Sequence, residues 1–132
     1  MKKSKPFKKI IKWVEKKGYE IKFTNHDYVD YGKKEVGVCE GQRNIIYTIL
    51  HECGHIVLSE SPTYHKDFKS IHRAENVDGR HLRSNLYKFK KLKEEMGAWD
   101  EGFKLAKKLK IKIKKDAYDT HASRYFITYV KY

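Results

Sequence analysis

The chain has 132 residues, with 30 Lys and Arg against 17 Asp and Glu for a formal net charge of +13, and 39% of its residues are hydrophobic. That length suits one domain over residues 1–132, while the lack of any apolar run of about 18 residues excludes a transmembrane helix and the basic start Met1-Lys2-Lys3-Ser4-Lys5-Pro6 lacks the apolar stretch of a secretory signal. Two cysteines, Cys39 and Cys53, cannot form a disulfide framework, so the expected setting is the cytoplasm with both thiols reduced.

The positive charge favours acidic partners, nucleic acid among them. The lysines, however, read as spread along the chain rather than clustered, which favours a solubilising surface. No DNA-reading motif accompanies them, since two cysteines cannot supply a zinc finger. A membrane partner is not expected.

The first element in chain order is a helix over residues 6–17. Phe7, Ile10, Ile11 and Val14 form its apolar stripe, Trp13 lies beside them, Pro6 suits the first turn and Gly18 the position past the end. Residues 19–24 alternate, with Ile21 and Phe23 on one face, and read as a strand. Asn25-His26-Asp27 reads as a turn, with His26 a turn residue rather than a ligand. A short strand over 28–31, a turn at Gly32-Lys33-Lys34 and a strand over 35–39 with Val36 and Val38 on one face complete a small antiparallel meander.

A helix over residues 44–58 follows and ends before Pro62. It carries His51-Glu52-Cys53-Gly54-His55, an H-E-x-x-H pattern that this composition yields by chance only about 0.03 times. Residues i and i+4 share a helix face, so His51 and His55 can reach one Zn²⁺ and Glu52 a water beside it. Cys53 faces the other way and reads as a small core residue. Cys39 lies near the expected cleft edge, and because a cysteine thiolate is a strong zinc ligand, ligation there that blocks such a metal is a second reading.

Residues 59–81 are polar and irregular, a length of loop that is often functional. The helical period returns over 83–110, with Leu86, Phe89, Leu92, Met96, Trp99, Phe103 and Ala106 as its stripe and a bend expected near Gly97 and Gly102. Ile111 and Ile113 alternate with lysines in an extended link. A last helix follows, with Asp116 as its N-cap and Tyr118, Ala122, Tyr125, Phe126 and Tyr129 as its buried side.

A catalytic zinc site takes three protein ligands and keeps one position open. The H-E-x-x-H-x-x-G-x-x-H class is excluded, because Leu58 stands at the glycine and Ser61 at the last histidine. A later helix offers Glu94 and Glu95. Glu95 borders the apolar stripe near Trp99 and Ala106, whereas Glu94 is turned about 100° away toward the lysines. Glu95 is therefore the chosen third ligand. A role in pairing with Lys91 is weak, since its i+4 neighbour is Trp99.

His51-Glu52-Cys53-Gly54-His55 followed by Glu95-Met96-Gly97-Ala98-Trp99 resembles the H-E-x-x-H … E-x-x-A pattern of the ImmA/IrrE-type metallopeptidases, including their small phage and mobile-element members and the compact minigluzincins. The element order fits as well: an α+β, zincin-like fold of helix, small three-stranded antiparallel sheet, H-E-x-x-H helix, glutamate helix and final helix. Trp99 departs from the asparagine frequent after that alanine in the family.

The resemblance implies zinc-dependent hydrolysis of peptide bonds, with a protein or peptide as substrate. Glu52 acts as general base on water made acidic by Zn²⁺, with His51, His55 and Glu95 as ligands. An oxyanion donor is expected among Tyr64, His72, His81 and His121. The strand over 35–39 is expected above the cleft, where it would bind substrate by strand addition. Two other readings stand beside this one. His65 as third ligand would resemble the SprT-like proteases that act on DNA-bound proteins, though the glycine usual after that histidine is absent. A zincin fold without turnover would be a regulatory or binding protein.

Overall fold

The computed structural model describes residues 4–62 and 85–131, with side chains to residue 127. Its elements are α1 (Lys5–Lys16), β1 (Glu20–Thr24), β2 (Tyr28–Asp30), β3 (Glu35–Cys39), α2 (Ile45–Ser59), α3 (Asn85–Lys108) and α4 (Lys115–Lys131). This is the expected α+β order: a helix, a small sheet, then the helices that bear the candidate site.

Helix α1 starts where Ser4 accepts a hydrogen bond from the Phe7 N–H at 3.3 Å, a side-chain cap that satisfies one orphan donor of the first turn. It buries Phe7, Ile10, Trp13 and Val14. It stops at Gly18, whose φ of +86° reverses the chain at little steric cost.

The sheet departs from the antiparallel meander. Its order is β1-β3-β2, with β1 parallel and β2 antiparallel to β3. The tight link between β2 and β3 forms the expected hairpin, but the 25–27 link does not. Asp27 is the reason. Its Oδ1 accepts from the Cys39 N–H at 2.9 Å and from Gln42 Nε2 at 2.8 Å. The chain therefore crosses beneath the end of β3 instead of folding back beside β1. Val36 and Val38 of the central strand are fully buried, and Gly37 lies under the Tyr28 ring, where a Cβ would sit 2.0 Å from Tyr28 Cε1.

Helix α2 is buried on every side from Thr48 to Ile56. It packs against α1, β2 and β3 on one flank and α3 on the other. A helix enclosed in this way needs little amphipathic contrast. Its polar residues there, Thr48, His51, Glu52 and His55, must then find partners within the protein.

Helix α3 runs unbroken through Gly97 and Gly102. The expected apolar stripe fails in its first half, where Leu86, Phe89 and Met96 are 62%, 60% and 49% exposed. The buried face is instead Glu94, Glu95, Ala98, Trp99, Gly102, Leu105 and Ala106. Helix α4 buries Tyr118 and Ala122, with Asp116 in the first turn rather than at the cap. Tyr125 is 37% exposed, and the Tyr129 side chain lies outside the described residues. No described helix is long and apolar enough to cross a membrane.

Candidate metal centre

The close approach of α2 and α3 builds the site, and two glycines make it possible. A Cβ on Gly54 would lie 1.8 Å from the Ala98 carbonyl oxygen, and one on Gly102 would lie 2.5 Å from the Leu50 carbonyl oxygen. Only hydrogen at these positions lets the two backbones come together. The contact lies next to His51 and His55 on α2 and to Glu95 on α3, so it brings that carboxylate onto the two imidazoles.

Glu95 Oε2 stands 2.8 Å from His51 Nε2 and 3.2 Å from His55 Nε2. All three residues are buried, and their candidate ligand atoms lie within 4.8 Å of one another. Ligands held 2.0–2.1 Å from a tetrahedral ion sit about 3.3 Å apart. The spacing and the two-nitrogen, one-oxygen donor set therefore fit a divalent ion such as Zn²⁺. Neither Cys39 nor Cys53 belongs to the cluster. Cys39 ends β3, and Cys53 is fully buried, with burial pushing its thiol pKa up.

The surroundings hold the ligands in place. The Trp99 ring lies flat on His51, centroids 4.1 Å apart and planes 3° from parallel. The Tyr118 hydroxyl donates to the Trp99 carbonyl at 2.6 Å, and the Tyr31 hydroxyl to the His55 carbonyl at 3.3 Å. Trp99 Nε1 is buried without a hydrogen-bond partner among the described residues. Glu94 corrects the expectation that it turns to the lysines. It is 1% exposed, and its Oε1 is 3.7 Å from His55 Nδ1. The wide buried face of α3 takes in both carboxylates, one on each side of the His55 ring. Lys91 does approach Glu95, at 3.9 Å, but through Oε1, leaving Oε2 to the histidines.

Electrostatics follow from burial and from this pairing. Burial alone would raise the Glu95 pKa, but hydrogen bonds from His51 and His55 reverse that and hold it well below the usual carboxylate range. Burial lowers His51, partly offset by Glu95. Burial lowers His55 too, yet Glu95, Glu52 and Glu94 outweigh it and leave that pKa raised. Glu52 has no such hydrogen-bonded partner among the described residues, and burial pushes it from an ordinary 4.5 to about 7.

A cleft of about 320 Å³ opens onto the cluster, lined in part by Tyr28, Val29, Tyr31 and Tyr125. The strand beside it is β2, not β3. Central β3 is paired on both sides and has no edge to offer. His121, one expected oxyanion donor, does not line the cleft; its ring nitrogens lie 3.3 Å from Thr48 Oγ1 and 3.4 Å from Asn44 Nδ2. Tyr64, His65, His72 and His81 lie outside the described residues. Tyr28, Tyr31 and Tyr125 are cleft tyrosines that sequence reasoning missed. The signal for Tyr125 was present, because the last helix reads as aromatic on one face, but periodicity does not say which ring ends beside the metal cluster. His26 is exposed in its turn, as expected.

No family model matches the chain, and no curated protein or solved structure matches it.

Proposed function

We propose that the chain is a zinc-dependent metallopeptidase of the glutamate type, similar in layout to the ImmA/IrrE-type enzymes, with Zn²⁺ held by His51, His55 and Glu95. One observation carries the reading: Glu95 of α3 converges on both H-E-x-x-H histidines, buried, at the base of an open cleft. Glu95 completes a three-donor set without His65. A bound Zn²⁺ supplies Lewis acidity at a carbonyl and makes water a stronger acid.

The other steps belong to the protein's own side chains. Glu52 lines the cleft one residue from His51, and a carboxylate with a pKa near 7 is matched to taking a proton from attacking water and passing it to the leaving amine. Glu94 orients His55 from the side opposite the ligating nitrogen. Tyr125, which reaches the cleft from the last helix, is the hydroxyl we assign to the oxyanion. The edge strand β2 is the one on which an extended peptide would lie.

The test is metal content together with cleavage. Purified protein should hold about one zinc per chain. Glu95→Ala should lose it, and Glu52→Gln should keep it while losing all cleavage of a denatured protein substrate. Zinc retained in full by Glu95→Ala, or undiminished cleavage by Glu52→Gln, would overturn the assignment.

A further inference from the structure

The net charge of +13 is not spread over the molecule, as the sequence had suggested. Residues 5–17 and 104–115 together hold thirteen lysines and a single acidic residue, Glu15, so these 25 residues supply +12 of the +13. The remaining 107 residues are almost neutral. The two segments lie far apart in sequence, and the fold sets them side by side. Lys9 Nζ donates to the Lys110 carbonyl at 3.4 Å, and one groove is lined by α1 on one wall and by Lys108, Leu109 and Lys110 on the other.

Local structure explains why the lysines face out. On α1, Lys5, Lys9, Lys12 and Lys16 fall at i, i+4, i+7 and i+11, a single stripe on the face opposite the apolar one. After α3, Ile111 is buried and Ile113 half-buried while Lys110, Lys112 and Lys114 are exposed. Six of the thirteen, Lys9, Lys12, Lys16, Lys17, Lys108 and Lys110, line the groove beside one carboxylate, Glu15, and their crowding is repulsive. Among the described residues, Lys17 is paired with Glu60 at 3.0 Å, and the other ion pairs of the two segments are Lys104 with Glu101 and Lys115 with Asp119.

We infer that this face is a docking groove for a DNA duplex, held by its phosphates without sequence preference. The stripe from Lys5 to Lys16 runs about 16 Å, the length of about five base pairs, each bringing two phosphates. The groove floor is apolar, from Trp13 and Leu109, and Trp13 is 9% exposed, so no ring is available to stack on an unpaired base. Lysine cations contact phosphate as point charges, and among the described residues no Arg, Asn or Gln lines the groove to read a base edge. Among the described residues, none of the large exposed apolar side chains lines it either, so they offer nothing to insert into a bilayer. It shares no lining residue with the metal cleft, and the inference does not depend on the peptidase reading.

The experiment compares two variants of equal net charge. Lys12→Glu/Lys16→Glu/Lys108→Glu reverses the groove, and Lys33→Glu/Lys88→Glu/Lys93→Glu reverses three lysines elsewhere. Binding of the full chain to a labelled duplex of about 20 base pairs is read by fluorescence anisotropy at about 50 and 200 mM salt. The wild type should bind. The groove variant should bind at least about tenfold more weakly at low salt, with a log Kd against log salt slope shallower by about 2 to 3, and the other variant should stay within about threefold of wild type.

Equal loss in both variants would reduce the effect to overall charge and overturn the proposal. So would absence of duplex binding by the wild type, or wild-type binding to phosphatidylserine vesicles but not to the duplex. If the glutamate variant fails to fold by circular dichroism, the Lys→Gln triple at the same positions replaces it, with the same ordering expected.

Discussion

Glu52 carries a conflict between stability and chemistry that can be measured. Burial raises its pKa from 4.5 to about 7, so in metal-free protein the unfolded chain gives up this proton more readily than the native one. A raised carboxylate pKa means that the native state is favoured below the unfolded value and loses that advantage as pH climbs through the native one. Glu52→Gln cannot ionise. Melted without metal, it should match wild type near pH 4.5 and exceed it by on the order of 3 kcal/mol above pH 7.5. A gap that is constant across this range would mean that desolvation does not set the Glu52 pKa. Trp99 is a second residue-scale case. Its ring stacks flat on His51, so Trp99→Ala should cost about 3–5 kcal/mol and weaken zinc retention, whereas Trp99→Phe should keep most of both. Thermal melts and zinc content of the two variants check this.

Between elements, the α2–α3 contact determines whether a site exists. Alanine is normally the better helix residue than glycine by about 1 kcal/mol. At Gly54 the added methyl would meet the Ala98 carbonyl at 1.8 Å, a clash with backbone that cannot move aside alone. Gly54→Ala should therefore destabilise the protein and reduce zinc binding together, because parting the helices withdraws Glu95. Gly97 is the contrasting position. A methyl there meets only the Leu58 side chain, at 3.3 Å, so Gly97→Ala should be neutral or stabilising with zinc binding intact. The paired variants, compared by melting temperature and metal content, separate helix propensity from helix spacing. The same contact explains why sequence periodicity misjudged the first half of α3. That half turns Glu94 and Glu95 inward where an apolar stripe was expected, and leaves Leu86 and Phe89 exposed. A buried carboxylate pair takes the place of core here because α2 supplies His51 and His55 as its partners.

Across the whole molecule, two long-range effects should appear in stability. The metal would bridge α2 to α3, elements separated by residues 60–84 in the chain. A ligand bound only by the native state adds RT ln(1 + [L]/Kd), about 2.7 kcal/mol at one hundred times Kd. The melting temperature should rise with added zinc and fall on chelation, and Glu95→Ala should abolish most of the response. The second effect is repulsion within the lysine face, which salt screens over about 10 Å at 0.1 M. Melting temperature in chelator should therefore rise between about 20 and 200 mM NaCl, and less so in Lys12→Glu/Lys16→Glu/Lys108→Glu.

What the sequence determined by itself was local. His51 and His55 share a face because a helix repeats every 3.6 residues, and the four-residue apolar stripe of α1 needs nothing but its own spacing. Glu95 was legible as well, since its position relative to Trp99 and Ala106 follows from the same angle. Tertiary structure decided the rest. Strand order turned on the side chain of Asp27 reaching Cys39 and Gln42, contacts across 12 and 15 residues that alternation cannot encode. That order in turn made β2, not β3, the edge beside the cleft. The inward turn of Glu94 depended on how closely Gly54 lets α3 approach. The lysines looked dispersed because a chain read in order cannot show that residues 5–17 and 104–115 lie together. Helical and strand periods are properties of neighbouring residues, while adjacency in space is set by which surfaces the whole chain can bury at once.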